Sequence, residues 1–355
     1  MPGPPLQTGP GLSETTGKPR GEGFVNKIDV LSKINPQMKA VLAKEDELAG
    51  DANDTSVGFE QMRENYVAGR AHWTEGGPVM AETVDAEVDG PHGPVPVRFY
   101  YPTEDAVAAR AAGKGALPAI VYAHGGGFVL GNLDTHDRIC RILAERAGVP
   151  VAAVDYRLSP EAKFPSAVEE VAAVAAYLHE RGAAWGVDGE RLAFAGDSGG
   201  AHLGLAATLY LREEQGGADF VKCLLLYYGW FGLADSSSMR LLGGPWDGLA
   251  EEDWRFYMGL YANDPAELQA SPYANLFLND FSRGVPPCYI AAAEYDPLRD
   301  DSATLAAVCE NCGVPHRHEV FEGVIHAFLH YTKMLDAAND ALEHGATFYR
   351  EQLGL

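Results

Sequence analysis

The feature that most constrains this sequence is an alternation of strand-like and helix-like segments that begins near Thr83. Several strand-like segments are apolar without a break, for example the runs that begin at Ala119, Leu224 and Cys288. Such runs are typical of strands that are covered on both faces, as in a mostly parallel sheet. The alternation therefore predicts an α/β fold with helices on both faces of a mostly parallel central sheet. The predicted strands are 95–101, 117–123, 149–154, 191–195, 222–228, 287–293 and 316–321, and the predicted helices are 136–147, 166–181, 199–214, 301–312 and 335–353.

Two stretches of the chain stand outside this alternation. Residues 25–80 carry apolar side chains at helical spacing and predict N-terminal cap helices. Residues 232–280 are rich in aromatic side chains without a convincing strand, and predict a helical cap insertion within a main domain of residues 81–355. Because open α/β sheets bind ligands at the carboxyl ends of their strands, we expect both stretches to cover that edge. Residues 1–24 are rich in Pro and Gly and predict a flexible leader.

The formal net charge of −23 argues against nucleic acid or an anionic membrane as a partner, because both would repel so acidic a surface. No apolar run reaches the ~18 residues that a membrane-spanning helix needs. A small neutral substrate suits this charge balance better. The five cysteines are odd in number and scattered, which predicts a cytoplasmic location without a disulfide framework. The sequence leaves open a homodimer or a protein partner.

A glycine-flanked serine lies between a strand-like and a helix-like segment. The run Gly196-Asp-Ser-Gly-Gly200 matches a nucleophile elbow, in which a sharp turn exposes the serine hydroxyl. A pattern this short can occur by chance, so it indicates an elbow only where the neighbouring segments are a strand and a helix. An apolar strand-like run precedes it and a helical run follows directly. Ser198 is therefore the predicted nucleophile, and the alternative is a glycine-rich turn with an incidental serine.

A second glycine-rich run follows the predicted strand 117–123. Successive glycines let backbone N–H groups approach a ligand closely, and each such donor to a developing oxyanion contributes about 3 kcal/mol. The sequence lacks the Lys-Ser/Thr ending of a P-loop, which disfavours a phosphate cradle. A flexible loop is the other alternative. The predicted oxyanion hole comprises His124, Gly125, Gly126, Gly127 and the N–H of Gly199.

An activated serine needs a general base, and that base needs a third group to orient it. In α/β-hydrolases the acid and then the histidine follow the serine along the chain. His326 comes just after the predicted strand 316–321 and before the final helix, which makes it the predicted base. His330, one helical turn beyond, is its competitor.

The predicted acid is Asp296, which lies at the carboxyl end of the strand 287–293. Pro297 forces a turn directly after it, whereas Asp300 and Asp301 are expected to cap the next helix. Glu294 is a secondary candidate. The carboxylate of Asp296 could instead only stabilise a loop through an Asx turn.

Five short segments together resemble one enzyme family. They are Tyr122-Ala-His-Gly-Gly-Gly-Phe, Asp155-Tyr-Arg-Leu-Ser-Pro-Glu161, Gly196-Asp-Ser-Gly-Gly, Asp296-Pro-Leu and His326-Ala-Phe. They resemble the hormone-sensitive-lipase-like (GDXG) esterases of the α/β-hydrolase fold, and segments 131–138, 241–249 and 326–331 resemble the bacterial acetyl esterases among them. The resemblance extends from about residue 27 to the C-terminal end.

The resemblance implies Ser198, Asp296 and His326 as a catalytic triad and a cap built from the N-terminal and inserted helices. It also implies that residues 124–127 and Gly199 form the oxyanion hole. Many relatives carry alanine where this chain has Gly199, but either residue supplies the same N–H.

Aromatic side chains near the predicted site are candidates for a substrate pocket, although packing is the commoner role of such residues. The candidates are Phe128, Trp246, Trp254, Tyr257 and Tyr261. The cysteines 309 and 312 and the histidines 316 and 318 could suggest zinc, but their spacing departs from structural zinc sites. We therefore expect no metal and no cofactor.

Together these observations predict a serine carboxylesterase that hydrolyses short acyl esters, from acetyl to about hexanoyl, through an acyl-enzyme. The alternative is a non-catalytic binding or regulatory protein on the α/β-hydrolase fold, because a fold does not determine function. Such a protein typically lacks a member of the triad, whereas this sequence has a candidate for each.

Overall fold

The structure is a computed structural model that describes residues 28–48, 57–114 and 117–355. The predicted leader, residues 1–24, lies outside the described residues. Within these residues eight strands form one sheet in the order β1-β2-β4-β3-β5-β6-β7-β8. The strands are β1 (Glu82–Gly90), β2 (Gly93–Tyr101), β3 (Leu117–Ala123), β4 (Val151–Val154), β5 (Val187–Asp197), β6 (Val221–Tyr227), β7 (Cys288–Tyr295) and β8 (His316–Ile325).

The sheet is mostly parallel, as predicted. From β4 to β8 every neighbouring pair is parallel, and only β1 with β2 and β2 with β4 are antiparallel. All seven predicted strands are present, and β1 is an addition that the prediction lacked. Strand β1 alternates half-buried and exposed residues at the sheet edge, so it has no continuous apolar run.

Helices cover both faces of the sheet. The helices of the described residues are α1 (Val30–Lys33), α2 (Pro36–Leu48), α3 (Phe59–Thr74), α4 (Glu104–Ala111), α5 (Asp137–Ala147), α6 (Ser166–Arg181), α7 (Gly199–Glu214), α8 (Ser237–Leu241), α9 (Glu251–Tyr261), α10 (Pro265–Ala270), α11 (Arg299–Cys312) and α12 (Asp336–Leu353). None of them has both the length and the apolar character to cross a membrane.

The alternation of side chains along each central strand divides the interior into two apolar cores. On β3, Val121 faces the core that contains α6, α7 and α11, while its neighbours Ile120 and Tyr122 face the core that contains α5 and α12. Helices therefore shield both faces of the sheet from water. This confirms the prediction of an α/β fold with a doubly covered sheet.

Two helical segments meet the carboxyl edge of the sheet. The segment 232–280 contains α8, α9, α10 and a short 3₁₀ turn, with no strand among these described residues. Side chains from α9 and from α3 near the N-terminal end line the same pocket as the residues that follow β5 and β8. The pocket therefore lies where open α/β sheets bind their ligands.

Candidate active site

Ser198 lies on the sharp turn between β5 and α7. Its backbone has φ 52° and ψ −121°, a conformation that few non-glycine residues adopt. A Cβ on Gly200 would lie 2.0 Å from the carbonyl oxygen of Ala123, and one on Gly196 would lie 2.7 Å from that same oxygen. Both positions therefore need glycine so that the turn can pack against β3. The turn is further held because the Ser198 N–H donates to the Tyr227 carbonyl at 2.9 Å.

His326 directly follows β8, and its ring connects Ser198 with Asp296. The distance from His326 Nε2 to Ser198 Oγ is 2.9 Å, and that from His326 Nδ1 to Asp296 Oδ2 is 2.8 Å. Because the ionised carboxylate can only accept, Nδ1 carries a proton and Nε2 is left to accept the serine O–H. The three candidate residues thus form one continuous hydrogen-bonded chain.

Asp296 is fully buried in the turn after β7, and both of its carboxylate oxygens take part in hydrogen bonds. Asp296 Oδ1 accepts the N–H of Leu298 at 2.7 Å, which orients the other oxygen towards the histidine. Glu294, the secondary candidate, instead accepts the N–H of Gly323 at 2.8 Å. The hydrogen bond from the Leu298 N–H to Asp296 is the Asx turn that the sequence suggested. It is present together with the contact between Asp296 and His326.

Asp300 and Asp301 differ from their predicted role as helix caps. Asp300 accepts the N–H of Ser238 at 2.9 Å, and Asp301 Oδ1 accepts three successive N–H groups between 2.7 and 3.1 Å, those of residues 231–233. Both lie in the first turn of α11, where acidic residues are favourable. Their carboxylates are turned towards a chain segment far away in sequence, so they hold the loop after β6.

The electrostatics around His326 favour its protonated form. Burial by itself lowers the pKa of His326, but the charge and hydrogen bond of Asp296 act in the opposite direction, helped by Asp247 and Asp197. The carboxylates prevail, so the pKa of His326 is raised above its ordinary value. A base of this kind becomes available as the pH rises through that pKa.

The glycine loop after β3 divides into two parts with different contacts. The N–H of Gly125 donates to Asp197 Oδ1 at 3.0 Å, so it is not free for a ligand. Gly126 and Gly127 have φ 124° and 60° and line the pocket with Ser198. Their N–H groups and that of Gly199 donate to no residue in the described part of the chain. These three N–H groups are the donors that remain for an oxyanion.

His124 belongs to the predicted oxyanion set, but its side chain is directed away from the pocket. Its Nδ1 lies 2.8 Å from the Gly125 carbonyl, and its ring stacks on Tyr156 with centroids 4.4 Å apart. Burial lowers the pKa of His124 to about 3, so the ring is neutral. His124 therefore supports the loop from behind.

Asp197 is a buried carboxylate directly before Ser198, and the sequence analysis did not single it out. Besides Gly125, its Oδ1 accepts the Tyr122 hydroxyl at 2.7 Å and lies 3.3 Å from His136 Nε2. Burial by itself raises the pKa of Asp197. The charge and hydrogen bond of His136 and the charge of His330 lower this pKa by a larger amount, so the net shift is downward. Its place inside the Gly-Asp-Ser-Gly-Gly motif is the signal that could have identified it.

The structure also brings together a small group of potential metal ligands. Ligand atoms of His136, Asp197 and His330 all lie within 4.8 Å of one another, and all three residues are buried. It is the one such group in the described residues, and it does not include the cysteines 309 and 312 or the histidines 316 and 318. His330, the competitor for the role of base, packs its ring edge-on against His136 with centroids 4.6 Å apart.

The pocket at Ser198 has a volume of about 70 Å³. Of the five predicted aromatics, Phe128, Trp254 and Tyr257 line it. Tyr261 lies outside because its ring stacks on Phe128 at 3.9 Å and is almost completely buried. Trp246 also lies outside, since its ring folds back over Gly244. His330, the competitor for the role of base, also lines the pocket. Lining residues that the sequence analysis missed are Tyr66, Arg70, Leu130, Asp197, Trp230, Asp247, Gly248, Leu249, Met258, Leu298 and Ala327.

Comparisons with known proteins agree with this geometry. Residues 120–330, more than half of the chain, match the family model described as the alpha/beta hydrolase fold. An esterase from the archaeon Pyrobaculum calidifontis is 30% identical, with a TM-score of 0.79 over 90% of this chain and 99% of that one. A thermophilic, thermostable carboxylesterase from a metagenomic library is 31% identical, with a TM-score of 0.78 over 84% and 99%.

A third similar structure is an ester-hydrolase from the metagenome of Lake Arreo, complexed with a derivative of bipyridine phosphonate. It is 26% identical, with a TM-score of 0.80 over 91% of this chain and all of that one. The family match and the high coverage in both directions agree with the motifs read from the sequence. This chain therefore belongs to the α/β-hydrolase fold family, in its hormone-sensitive-lipase-like branch, and is an esterase-type hydrolase.

Proposed function

We propose that this chain hydrolyses neutral esters of short carboxylic acids, from acetyl to about hexanoyl, with Ser198 as nucleophile, His326 as general base and Asp296 as the group that orients it. The observation that carries the proposal is the unbroken contact Ser198 Oγ to His326 Nε2 to Asp296, with distances of 2.9 and 2.8 Å. Hydrogen bonding of this kind activates a serine that is otherwise a weak nucleophile.

In the first step, Ser198 Oγ attacks the ester carbonyl carbon while its proton passes to His326 Nε2. The carbonyl oxygen becomes negatively charged and accepts the free N–H groups of Gly126, Gly127 and Gly199. Preorganised donors of this kind are worth about 3 kcal/mol each. His326 then returns the proton to the departing alcohol oxygen as the carbon–oxygen bond breaks, which leaves an acyl-enzyme.

In the second step, water replaces the alcohol. His326 takes a proton from the water as its oxygen attacks the acyl carbon, and the same N–H groups again accept the oxyanion. Collapse of this intermediate breaks the bond to Ser198 Oγ, which recovers its proton from His326. The products are a carboxylic acid and the free enzyme, so the two steps need no cofactor.

The aromatic walls of the site support the proposed preference for short acyl groups. Three bulky aromatic side chains, those of Phe128, Trp254 and Tyr257, bound this pocket of about 70 Å³ next to Ser198. Each methylene group that must be accommodated by displacing a side chain costs roughly 1 to 3 kcal/mol of discrimination. In this proposal α3 and the segment 232–280 act as the cap that restricts the site.

A neutral ester suits a chain with a net charge of −23, because an anionic substrate would be repelled. All five cysteines are unpaired, and four of them are buried. Unpaired cysteines are typical of reducing compartments, so we propose a cytoplasmic location.

A chromogenic ester panel tests this function. We expect kcat/KM for p-nitrophenyl esters to peak between acetate and about hexanoate, and an optimum at about twelve carbons or more would contradict the short-chain assignment. The variants Ser198→Ala and His326→Ala should each lose most activity, and the double variant should be about as inactive as either one, because triad members act as a unit. Near-normal turnover by a folded Ser198→Ala variant would indicate a different nucleophile, whereas a folded wild-type protein that hydrolyses no ester would favour a non-catalytic binding protein.

A further inference from the structure

Three potential metal ligands lie together beside the pocket at Ser198. Their ligand atoms are within 4.8 Å of one another, and all three side chains are buried. His136 directly precedes α5, Asp197 ends β5, and His330 lies in the 3₁₀ turn that follows β8. We call this group the His-Asp-His cluster. Because its members come from three separate segments of the chain, no local spacing pattern predicts it.

His136 has a buried ring nitrogen that lacks a good partner. Its Nδ1 lies 2.8 Å from Thr135 Oγ1 and is therefore already used. Its Nε2 is not satisfied by a hydrogen bond of good geometry within the described residues. The distance from Nε2 to Asp197 Oδ1 is 3.3 Å, whereas charge-assisted hydrogen bonds of this type are about 2.7 to 2.9 Å long. This nitrogen therefore has bonding capacity left for a ligand.

The spacing of the cluster suits a single tetrahedral zinc ion. Zinc bonds to nitrogen and oxygen of about 2.0 to 2.2 Å place neighbouring ligand atoms ~3.4 Å apart. The observed 3.3 Å between His136 Nε2 and Asp197 Oδ1 matches this separation. The ring nitrogens of His330 make no hydrogen bond to any residue in the described part of the chain. Its ligand atom is at most 4.8 Å from the other two, so a small shift of the ring completes the set.

Two imidazoles and one carboxylate select the class of ion. Imidazole nitrogens suit zinc and other late first-row metals, whereas magnesium and calcium prefer oxygen ligands. Three protein ligands leave the fourth position of a tetrahedral ion for water, as in open zinc sites. Asp197 and His330 line the pocket at Ser198 and His136 does not, so the fourth position faces the pocket. The ion therefore enters from the pocket side.

The charges around the cluster are compatible with a cation. Asp197 supplies a negative charge directly, and a chain with a net charge of −23 attracts cations from solution. Arg70 lines the same pocket, and its positive charge acts on His330. However, Arg70 is paired with Glu45 at 3.3 Å, which offsets part of its repulsion of a cation.

We propose that the His-Asp-His cluster binds a divalent transition-metal ion, Zn²⁺ fitting it best, and that the bound ion inhibits the esterase. The binding stands apart from the proposed function, whereas the inhibition rests on it. Asp197 Oδ1 already accepts the Tyr122 hydroxyl and the Gly125 N–H, and an oxygen offers only about two lone pairs. An ion on this oxygen therefore competes with the bond that holds the glycine loop. The metal-free enzyme is the active form, so chelation by itself does not lower activity.

Calorimetric titration of the metal-free protein with ZnCl₂ tests the site directly. We expect tight binding of a single ion per chain. His136→Gln and His330→Gln each remove one ligand and should bind zinc at least about tenfold more weakly, since loss of even an outer-shell partner costs about 10- to 100-fold. His344→Gln is the matched control, because His344 lies 2.8 Å from the Glu319 carboxylate at the surface. This variant should keep the wild-type affinity.

Cobalt provides a second measurement that needs no variant. Co²⁺ binds the same kinds of ligand as Zn²⁺, and its visible spectrum reports the coordination of the ion. We expect the intense bands of a four- or five-coordinate ion without a thiolate-to-cobalt charge-transfer band. All five cysteines are unpaired, so a thiolate band would assign the ion to cysteines and overturn the proposed site.

Hydrolysis of p-nitrophenyl acetate by the metal-free enzyme measures the effect of the ion. We expect saturating Zn²⁺ to lower kcat at least about tenfold, because the oxyanion donors lose their alignment. Half of this effect should occur at the Kd found by titration, EDTA should reverse it, and Mg²⁺ should have no effect. In His330→Gln the same fractional inhibition should require at least about tenfold more zinc.

Equal zinc affinity in folded wild-type, His136→Gln and His330→Gln proteins would overturn the site. Tight binding through these residues with an unchanged rate, or with a rate that zinc raises, would overturn the inhibition. A protein that binds zinc at the cluster but hydrolyses no ester would count against the proposed function alone. The failures of the two proposals are therefore distinguishable.

Discussion

The carboxylate of Asp197 accepts the backbone N–H of Gly125 at 3.0 Å, which joins the turn that carries Ser198 to the glycine loop after β3. Both groups are buried, so the bond is shielded from competition by water. The neighbouring Gly126 and Gly127 keep their N–H groups free. The Asp197 side chain therefore fixes the position of Ser198 relative to the N–H groups that we propose as oxyanion donors.

Replacing this carboxylate should reduce turnover more than substrate binding. Asp197→Asn removes the negative charge opposite His136 and weakens the bond that holds Gly125, so the oxyanion donors lose their alignment. Loss of one such donor costs about 10²- to 10³-fold in kcat, and we expect about 10- to 100-fold here because the backbone remains. The measurement is kcat and KM for a short p-nitrophenyl ester.

Asp188→Asn is the matched control for this prediction, because Asp188 lies on the same strand β5 but pairs with Arg191 near the surface. Surface ion pairs contribute about 0 to 1 kcal/mol, so this variant should keep its activity. Equal activity of the two variants would show that the Asp197 contact has no catalytic consequence.

The pH dependence of the enzyme should report the raised pKa of His326. The base must be neutral to accept the serine proton, so kcat/KM should be low in acid and rise with pH through that pKa. Because Asp296 and the other carboxylates raise it, we expect the midpoint above about 6.5. A midpoint well below that value would show that burial outweighs the carboxylates.

Asp247 offers a way to shift that midpoint. It lines the pocket and contributes to the raised pKa of His326, and burial raises the pKa of Asp247 itself to about 7. In Asp247→Asn a negative charge near the imidazolium is lost, so the midpoint of the kcat/KM profile should move to lower pH. Glu252→Gln, an exposed change on α9, should leave the midpoint in place.

Two adjacent glycines should respond differently to alanine. In Gly200→Ala the new Cβ would lie 2.0 Å from the Ala123 carbonyl oxygen, so β3 and α7 must move apart at a cost of about 1 to 3 kcal/mol or more. In Gly199→Ala it would meet only the Phe128 ring, at 3.2 Å. We expect a clearly lower Tm for Gly200→Ala than for Gly199→Ala. Similar Tm values would contradict the close packing at this turn.

Chelation should leave the rate unchanged. The proposed mechanism uses no metal, and Asp197 Oδ1 is already engaged with Tyr122 and Gly125. Incubation with EDTA followed by assay with a short ester checks this expectation. If EDTA abolished activity and zinc restored it, His136, Asp197 and His330 would be the first ligand set to test.

The sequence by itself determined seven of the eight strands of the sheet and the position of each candidate catalytic residue along the chain. Apolar runs set where the strands lie, and Ser198, Asp296 and His326 each follow the end of a strand. Parallel strands of one sheet end at the same edge, so residues directly after them must come close together. This inference needs only local periodicity and chain order, which a single sequence contains.

Only the tertiary structure decided which groups face the pocket. Gly125 and Gly126 are neighbours with the same chemistry, but the first N–H is taken by Asp197 and the second is free. Tyr257 and Tyr261 are one turn apart on α9, but the second ring turns onto Phe128. Such choices depend on contacts between segments that are far apart in sequence and on the direction of each side chain, which no local pattern encodes.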